Sequence, residues 1–325
     1  MRTAIIGFSG SGKTDLFHAL GGSNVKSNKA VAKVPEPRLE PLIKLFNPKK
    51  VTYTEIEYVD IHGAINNKTL SEIKGYDCFV AVLDGFSGFN NPEEQWKELE
   101  SEFILQDLAI IEKRLEKIKK NKKQNEKEIE LLTKTKEVLD SEIPLREAPE
   151  LFNNNQLKSY GFLSAKPVLY VWNVLDEDIN NIEVEKNDKL NQKHLVLSAK
   201  LEKEIAEITD KQELEEFLKE FNIKEPALDK IIKSTYDLLN LITFLTAGEK
   251  EVRAWPLKKG STAQEAGGVI HSDIKRGFIR AEVLSWGDFE KYGDFKNAKK
   301  NGALRLEGKD YIVKDGDIIT FYFNV

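Results

Sequence analysis

Residues 7–14 read GFSGSGKT, a glycine-rich loop that ends in a lysine and a threonine. The apolar run TAII precedes it and DLFHAL follows it, which is the strand, loop and helix order of a phosphate-binding loop. Glycines let backbone N–H groups turn inward around phosphate oxygens, and the helix N-terminus adds its dipole. The residues predicted to hold nucleotide phosphates are Ser9, Gly10, Ser11, Gly12, Lys13 and Thr14. Lys13 would reach the β- and γ-phosphates, and the Thr14 hydroxyl would bind Mg²⁺.

Two shorter elements downstream would complete such a site. Asp60 and Gly63 form a DxxG at the end of an alternating apolar run, where P-loop proteins place a second contact to Mg²⁺. Ser198, Ala199 and Lys200 follow the apolar run HLVL, as the SAK element of GTPases does. We therefore predict that Asp60 contacts the metal and that the SAK residues contact the nucleotide.

The base-recognition element is altered. Asn173, Val174 and Asp176 lie in NVLD after the run PVLYVW, where a GTPase carries NKxD for guanine. Val174 replaces the lysine that packs along the base, so guanine specificity is weakened. Asp176 is retained and could accept hydrogen bonds from guanine N1 and N2, which keeps GTP as the alternative. All three are predicted nucleotide-binding residues, and the four elements in this order predict a GTPase-like nucleotide domain.

The groups that would cleave the γ-phosphate are harder to find. No threonine occurs between Thr14 and Thr52, so the threonine that would cap Mg²⁺ and the γ-phosphate has no candidate. Ala64 follows the DxxG, where many GTPases place a water-orienting glutamine. His62 is a polar group beside the expected γ-phosphate, although a lone histidine in a loop is more often incidental. We predict nucleotide binding with slow or impaired hydrolysis and assign no catalytic residue.

The apolar pattern predicts the elements that must position these residues. Continuous apolar runs such as CFVAVLD and PVLYVWN, separated by helical stretches, indicate an α/β fold with a parallel sheet buried on both faces. Residues 93–142 lack proline and glycine, and their apolar residues recur at helical spacing on either side of NKKQNEK. This pattern predicts an antiparallel helical hairpin that turns near 121–125, with a single long helix as the alternative. Its lysine-rich tip, Lys117–Lys127, is either a solvated helix end or a contact for RNA phosphates.

The last part of the chain is rich in short apolar runs, glycine and aromatics. We predict a small β-rich domain there, closed by a hairpin at Asp315-Gly316. Its aromatic residues are expected in its core: Trp255, Trp286, Tyr311, Phe321, Tyr322 and Phe323. The predicted domains are the first part of the nucleotide domain at 1–92, the helical insertion at 93–143, the rest of the nucleotide domain at 144–242 and the β-rich domain at 243–325.

Composition sets further limits. The chain has 325 residues and a net charge of −5, which argues against a protein that grips nucleic acid with its whole surface; no DNA specificity is expected. Its one cysteine, Cys78, lies in an apolar run and is expected to be buried. The start of the chain lacks the long apolar region of a signal peptide, and no apolar run approaches the roughly 20 residues of a membrane span. We expect a cytoplasmic protein without membrane contact.

Beyond single motifs, the chain resembles the Obg-like ATPase (YchF) family of P-loop proteins over most of its length. FLTAGEKEVRAWPLKKGSTAQEAGGVIHSDIKRGFIRAEVLSWGDFEKY and LRLEGKDYIVKDGDIITFYFNV are similar to that family's C-terminal, β-grasp-like TGS domain. VDIHG and KPVLYVWNVLDED are similar to segments of its nucleotide domain. The resemblance implies a nucleotide domain interrupted by an antiparallel coiled-coil insertion. It also implies ATP rather than GTP, Mg²⁺, association with ribosomes, and a regulatory role in translation or stress responses.

The sequence departs from that family in its switch regions, which are shorter, and in its phosphate loop, which reads SGSGKT rather than NVGKST. These differences affect hydrolysis more than binding, because the phosphate cradle and the first magnesium ligand are kept. The first hypothesis is a slow ATPase that docks on the ribosome or its RNA through the Lys117–Lys127 tip and the C-terminal domain. A non-hydrolysing adaptor of the same fold and a small-molecule kinase that uses the P-loop are the alternatives.

Overall fold

The computed structural model describes residues 1–22, 25–63, 65–120, 126–152, 155–182, 193–208 and 210–324. The strands are β1 (Arg2–Gly7), β2 (Lys29–Lys33), β3 (Val51–Thr52), β4 (Glu55–Asp60), β5 (Cys78–Asp84), β6 (Val168–Asn173), β7 (Lys193–Leu197), β8 (Leu241–Ala247), β9 (Val252–Lys258), β10 (Phe278–Leu284), β11 (Arg305–Glu307) and β12 (Ile318–Phe323). The helices are α1 (Lys13–Gly21), α2 (Leu39–Phe46), α3 (Asn67–Glu72), α4 (Pro92–Lys120), α5 (Glu126–Asp140), α6 (Pro149–Phe152), α7 (Asn155–Lys158), α8 (Ala199–Glu207), α9 (Lys211–Glu220), α10 (Ala227–Leu238), α11 (Ala263–Ile270), α12 (Ser272–Arg276), α13 (Trp286–Tyr292) and α14 (Phe295–Lys300).

The chain folds into two compact units. The first consists of Met1–Ala32 and Glu57–Thr235, and the second of Lys33–Ile56 and Tyr236–Val325. Residues 33–56, which the sequence placed in the nucleotide domain, therefore lie in the second unit. The reason is that β3 pairs in parallel with β9, and α2 contributes two fully buried leucines to the core of the second unit.

The first unit is built on a six-stranded sheet in the order β2-β4-β1-β5-β6-β7. β1 pairs in parallel with β4 and β5, and the β5–β6 and β6–β7 pairs are parallel as well. Every residue of β5 is buried, which is typical of a parallel strand covered on both faces. The predicted α/β fold with a parallel sheet is confirmed. Because parallel strands end at the same edge, the residues that follow β1, β4, β5, β6 and β7 lie side by side.

Helix α4 begins on this sheet and extends beyond it into the helical insertion. Leu99 and Phe103 in its first half pack in the core of the sheet. Further along, Ile111 and Ile118 pack with Leu132 of α5 in a separate apolar cluster. The insertion helices therefore share a second apolar core with Leu145, Leu157, Phe162 and Ala165 of the segment that follows them.

Ion pairs show the direction in which the two insertion helices run. Arg114 near the end of α4 binds Glu128 near the start of α5 at 2.7 Å, and Glu112 pairs with Lys136, further along α5, at 3.4 Å. The helices are therefore antiparallel, as predicted, and not one long helix. The turn predicted at 121–125 and the middle of the basic tip lie outside the described residues.

The second unit is a mixed six-stranded sheet in the order β11-β10-β12-β8-β9-β3. β8–β9, β10–β11 and β10–β12 are antiparallel, whereas β12–β8 and β3–β9 are parallel. Helices α2, α13 and α14 pack on one face, and α11 and α12 pack on the other. This sheet contains the small β-rich domain that the end of the sequence predicted.

The hairpin predicted at Asp315-Gly316 is wrong. β12 pairs with β10 and β8, and not with the residues before the turn. The Thr243 backbone N–H donates to the Asp315 carboxylate at 2.8 Å, and the Gly316 N–H donates to the Thr243 carbonyl at 2.7 Å. The turn is therefore anchored on β8, so the chain enters the middle of the sheet instead of folding back on itself.

Two aromatic residues differ from the expectation. Tyr322 and Phe323 are 39% and 46% exposed, and neither belongs to the core. The other four pack against the buried clusters of the second unit: Trp255, Trp286, Tyr311 and Phe321.

Cys78 is buried and unpaired, as expected. Among the described residues, no helix combines the length and the apolar character needed to cross a membrane.

Candidate functional site

The phosphate loop joins β1 to α1 at the carboxyl edge of the first sheet. Gly10 and Gly12 have φ of 78° and 82°, a backbone region that favours glycine. Helix α1 begins immediately afterwards at Lys13, and the Leu16 N–H donates to the Gly12 carbonyl at 3.1 Å. Ser11 is fully buried, and its Oγ has no hydrogen-bond partner among the described residues. The loop therefore has the tight turn and the helix start of a phosphate cradle. The buried Ser11 hydroxyl is available there as a further hydrogen-bonding group.

Asn173 at the end of β6 ties this loop to the SAK element. Its Nδ2 donates to the Ser11 carbonyl at 3.0 Å, and its Oδ1 accepts from the Ala199 N–H at 2.8 Å. A Cβ at Gly12 would overlap the Asn173 amide, so glycine is required there for close approach as well. Three segments that are far apart in the sequence thus meet through one buried side chain.

The predicted metal ligands are adjacent. Thr14 Oγ1 donates to Asp60 Oδ2 at 3.2 Å. Asp60 is 1% exposed, and its Oδ1 has no hydrogen-bond partner in the described part of the chain. A buried carboxylate oxygen without a partner is unfavourable unless a donor or a cation satisfies it.

These two residues fit Mg²⁺, which takes hydroxyl and carboxylate oxygens together with the oxygens of a nucleotide phosphate. The ranges that the structure describes contain no group of three or more His, Cys, Asp or Glu side chains that could hold a metal. A metal at Thr14 and Asp60 would therefore depend on ligands from a bound nucleotide and water.

His62 contacts the same carboxylate. Its Nδ1 lies 3.3 Å from Asp60 Oδ2, and its side chain is 72% exposed. The structure thus brings His62 beside the Thr14–Asp60 pair, where it can reach solvent. Ala64, at the position of the glutamine of many GTPases, lies outside the described residues.

On the base side, Asp176 is engaged by the SAK element. Ser198 Oγ donates to Asp176 Oδ1 at 2.5 Å, and Lys200 Nζ lies 3.5 Å from Oδ2. Ser198 also caps α8, since its Oγ accepts from the Leu201 N–H at 3.3 Å. Both oxygens of the carboxylate that could read guanine are therefore in contact with this chain's own groups.

Val174 is 2% exposed, and its N–H donates to the Leu197 carbonyl at 2.8 Å. Its side chain packs close to Gly85 after β5. In the rest of the predicted nucleotide-binding set, Ser9, Gly10, Thr14 and Lys200 are exposed, whereas Lys13 is 8% exposed. The nucleotide-binding role of these residues stays a prediction, and their positions at one sheet edge agree with it.

Asp84 at the end of β5 was missed by sequence reasoning. Its carboxylate accepts from the Ser87 hydroxyl at 2.6 Å and from the Asn90 side chain at 2.7 Å. Burial opposes the charged form, but these hydrogen bonds outweigh it and lower the pKa of Asp84. The aspartate fixes the turn that leads into α4. The signal in the sequence was DGFSGFNN, an aspartate followed by turn-forming residues.

The sheet order, the strand–loop–helix at residues 2–21 and the ends of β4, β6 and β7 at the same edge define a P-loop protein with a GTPase-like domain. The second unit adds a mixed sheet with helices on both faces. These features place the chain among multidomain P-loop proteins.

Comparison with known proteins identifies the family. The family YchF-GTPase_C, described as "Protein of unknown function (DUF933)", matches residues 241–324. The ribosome-binding ATPase YchF of Bacillus subtilis (strain 168) is 38% identical, with 100% of each chain covered. The protein of the same name from Escherichia coli O157:H7 is 34% identical, with 100% of this chain and 99% of the relative covered. The structure of the Schizosaccharomyces pombe YchF GTPase has a TM-score of 0.87 at 25% identity and covers 99% of this chain and 97% of its own. The chain belongs to the YchF family.

Proposed function

We propose that this protein binds ATP with Mg²⁺, hydrolyses it slowly, and associates with the ribosome in the cytoplasm as a regulator of translation or stress responses. The observation that carries the proposal is the Thr14–Asp60 pair beside the phosphate loop, with a buried Asp60 oxygen that lacks a partner among the described residues. The curated relatives named above are called ribosome-binding ATPases, which supports both the nucleotide and the ribosome.

Nucleotide binding would use the main chain more than side chains. The N–H groups of the loop around Gly10 and Gly12 would surround the phosphates, and Lys13 would supply the positive charge. Mg²⁺ would be held by Thr14 and Asp60, where it would neutralise charge on the β- and γ-phosphate oxygens. Asn173 would keep the loop and the base-binding segments in register, because it is hydrogen-bonded to both.

Slow hydrolysis follows from the groups that the sequence lacks. The sequence lacks a switch threonine and a water-orienting glutamine at their usual positions. We therefore assign no residue to the positioning of the attacking water. His62 is placed beside the metal pair through its contact with Asp60. Positioning of the phosphates and metal alone would then provide most of the rate acceleration.

The preference for ATP rests on the base side of the site. Val174 occupies the position of the NKxD lysine, and its side chain is buried. Asp176 is paired with Ser198 and Lys200, so its carboxylate would have to leave these partners or share them in order to bind guanine. GTP binding through Asp176 is the second candidate, because the carboxylate is present at the expected position.

Lys13→Ala tests the proposal against the non-hydrolysing adaptor. With Mg²⁺-ATP, we expect the variant to lose nucleotide binding at least tenfold and to release phosphate at the rate of a blank. Lys68→Ala, which removes an exposed lysine on α3, is the matched control and should behave as the wild type. Wild-type phosphate release equal to that of Lys13→Ala would favour the adaptor. Ribosome binding that does not respond to nucleotide would contradict the regulatory role.

A further inference from the structure

The described ladder between β8 and β12 ends at Leu245. β8 pairs with β9 and β12 pairs with β10 along their lengths, but among the described residues β12 and β8 pair at one position, Ile318 with Leu245. The Leu245 N–H donates to the Asp317 carbonyl at 2.8 Å, so Asp317 directs its carbonyl toward β8. Because a strand alternates with a period of two, Phe321 and Phe323 also direct their backbone groups to that side.

The opposite edge of β12 agrees with this alternation. The Asn324 N–H donates to the Gly277 carbonyl at 2.9 Å, on the side of β10. Phe321 and Phe323 therefore present N–H and C=O groups toward β8, where β8 has already ended at Ala247. No described residue forms a ladder with them on that side. The last part of β12 is thus an open edge inside the sheet, and such an edge can pair with another strand.

A groove of about 520 Å³ lies along this open edge. Its apolar lining includes Ile274, Ile319, Phe321 and Phe323. The other wall is the tip between β8 and β9, residues 246–251. The groove therefore combines backbone groups that no described ladder uses on this side with an apolar surface for side chains.

We propose that this groove binds an extended peptide segment of a protein partner, which adds as a strand to the open edge of β12. Its backbone would pair with Phe321 and Phe323, and its alternate side chains would pack on the apolar lining. The inference rests on the proposed ribosome association and deepens it, because the segment would belong to a ribosomal protein.

The chemistry of the open edge favours a peptide over RNA. Glu249, Lys250 and Glu251 line the groove, and Glu251 is paired with Lys50 and Arg253. The rim therefore carries charges of both signs and is not the uniformly positive surface that nucleic-acid phosphates need. Backbone donors and acceptors outside any described ladder match another polypeptide backbone, which carries both at a regular spacing.

Two substitutions at Phe323 distinguish a role of its backbone N–H in binding from a role of its side chain. Phe323→Pro removes the N–H that points away from β10, and proline is tolerated at a sheet edge. Phe323→Leu keeps this N–H and an apolar side chain. With purified ribosomes in a sedimentation assay, we expect Phe323→Pro to bind at least fivefold more weakly, and Phe323→Leu to bind within twofold of the wild type. Equal binding by Phe323→Pro would overturn the inference alone, whereas absence of wild-type binding would overturn the proposed function as well.

The wild-type protein provides a test that does not depend on a variant that folds. Amide exchange at Phe321 and Phe323 should be fast in the free protein and at least tenfold slower in the ribosome complex. A benzoylphenylalanine at position 323 should cross-link to one short segment of a ribosomal protein. Cross-links to RNA, cross-linked dimers of this chain without ribosomes, or unprotected amides in the bound state would each overturn the inference.

Discussion

The side-chain amide of Asn173 donates to the carbonyl of Ser11 at 3.0 Å and so ties the end of β6 to the phosphate loop. Its oxygen accepts from the backbone of the SAK element at 2.8 Å. Asn173 is 5% exposed, so both bonds form where water cannot replace a lost partner. The arrangement makes one residue responsible for the shape of the phosphate and base segments together.

Asn173→Ala should therefore weaken nucleotide binding and stability together. We expect at least tenfold weaker Mg²⁺-ATP binding by calorimetry and a loss of about 1–3 kcal/mol in the free energy of unfolding, because two backbone groups lose a buried partner. Asn181→Ala is the matched control, since its amide binds the Glu177 carbonyl at the surface at 3.0 Å. Wild-type affinity in Asn173→Ala would show that the loop keeps its shape without this bond.

The Thr14–Asp60 pair predicts a specific dependence on magnesium. Thr14→Val should weaken ATP binding about 10-fold when Mg²⁺ is present and leave it nearly unchanged in EDTA, because the hydroxyl acts through the metal. Thr14→Ser keeps the hydroxyl and should remain within about threefold of the wild type. Titration of ATP at several Mg²⁺ concentrations measures the difference. An equal loss for Thr14→Val with and without metal would mean that the threonine acts by packing.

The base preference can be read from Asp176. If adenine is bound, Asp176→Ala should change ATP affinity by less than about twofold, because the carboxylate stays with Ser198 and Lys200. We also expect the wild type to bind ATP several-fold more tightly than GTP in matched titrations with Mg²⁺. A preference for GTP that disappears in Asp176→Ala would instead assign the carboxylate to guanine.

Asp107 predicts a pH dependence of stability in the first unit. It is fully buried on α4, and its carboxylate accepts from the Leu163 and Ser164 N–H groups at 2.8 Å each. Burial raises the pKa of Asp107 to about 6, against the opposing effect of these hydrogen bonds and of Lys74. The folded protein therefore holds this proton to a higher pH than the unfolded chain does.

For Asp107, stability is greatest below the unfolded pKa near 4 and falls as the pH rises toward about 6. Above that pH its contribution is constant. Asp107→Asn cannot titrate, so the wild-type free energy of unfolding relative to this variant should decrease by up to about 3 kcal/mol between pH 4 and 7. Denaturation at several pH values, followed by tryptophan fluorescence, measures it. A difference that does not change with pH would contradict the raised pKa.

The basic end of the insertion predicts a salt-dependent contact with RNA. Lys119 and Lys120 are exposed, and no ion pair among the described residues includes them. Replacing both by alanine should weaken ribosome binding and reduce its dependence on salt concentration by roughly the release of two counterions. Lys134 and Lys136 on α5 form ion pairs with acidic side chains of the insertion, so their double alanine variant is the control. Equal salt dependence in the two variants would argue for a solvated helix end.

Several features could be predicted because their cause is local. The phosphate loop needs glycines at fixed positions, so GFSGSGKT and the apolar runs on either side of it predicted the loop, its strand and its helix. The apolar spacing on each side of NKKQNEK predicted two insertion helices, because α4 and α5 bury one face each. The sequence also predicted the turn at Asp315-Gly316, but the hairpin inferred from this turn was wrong. The groups that anchor this turn lie on β8, about 70 positions earlier, and at Arg38 before α2, and no local pattern shows them.

By itself, the sequence determined the P-loop class, the parallel sheet, the helical insertion and the family. These features depend on residue type and on the local spacing of apolar residues, and both can be read directly from the sequence. The tertiary structure decided that Asn173 joins the phosphate loop to the SAK element, that Asp60 keeps one buried oxygen without a partner in the described structure, and that β12 leaves an open edge. Each of these depends on which distant backbone groups are already paired, and pairing is fixed only when the strands have assembled.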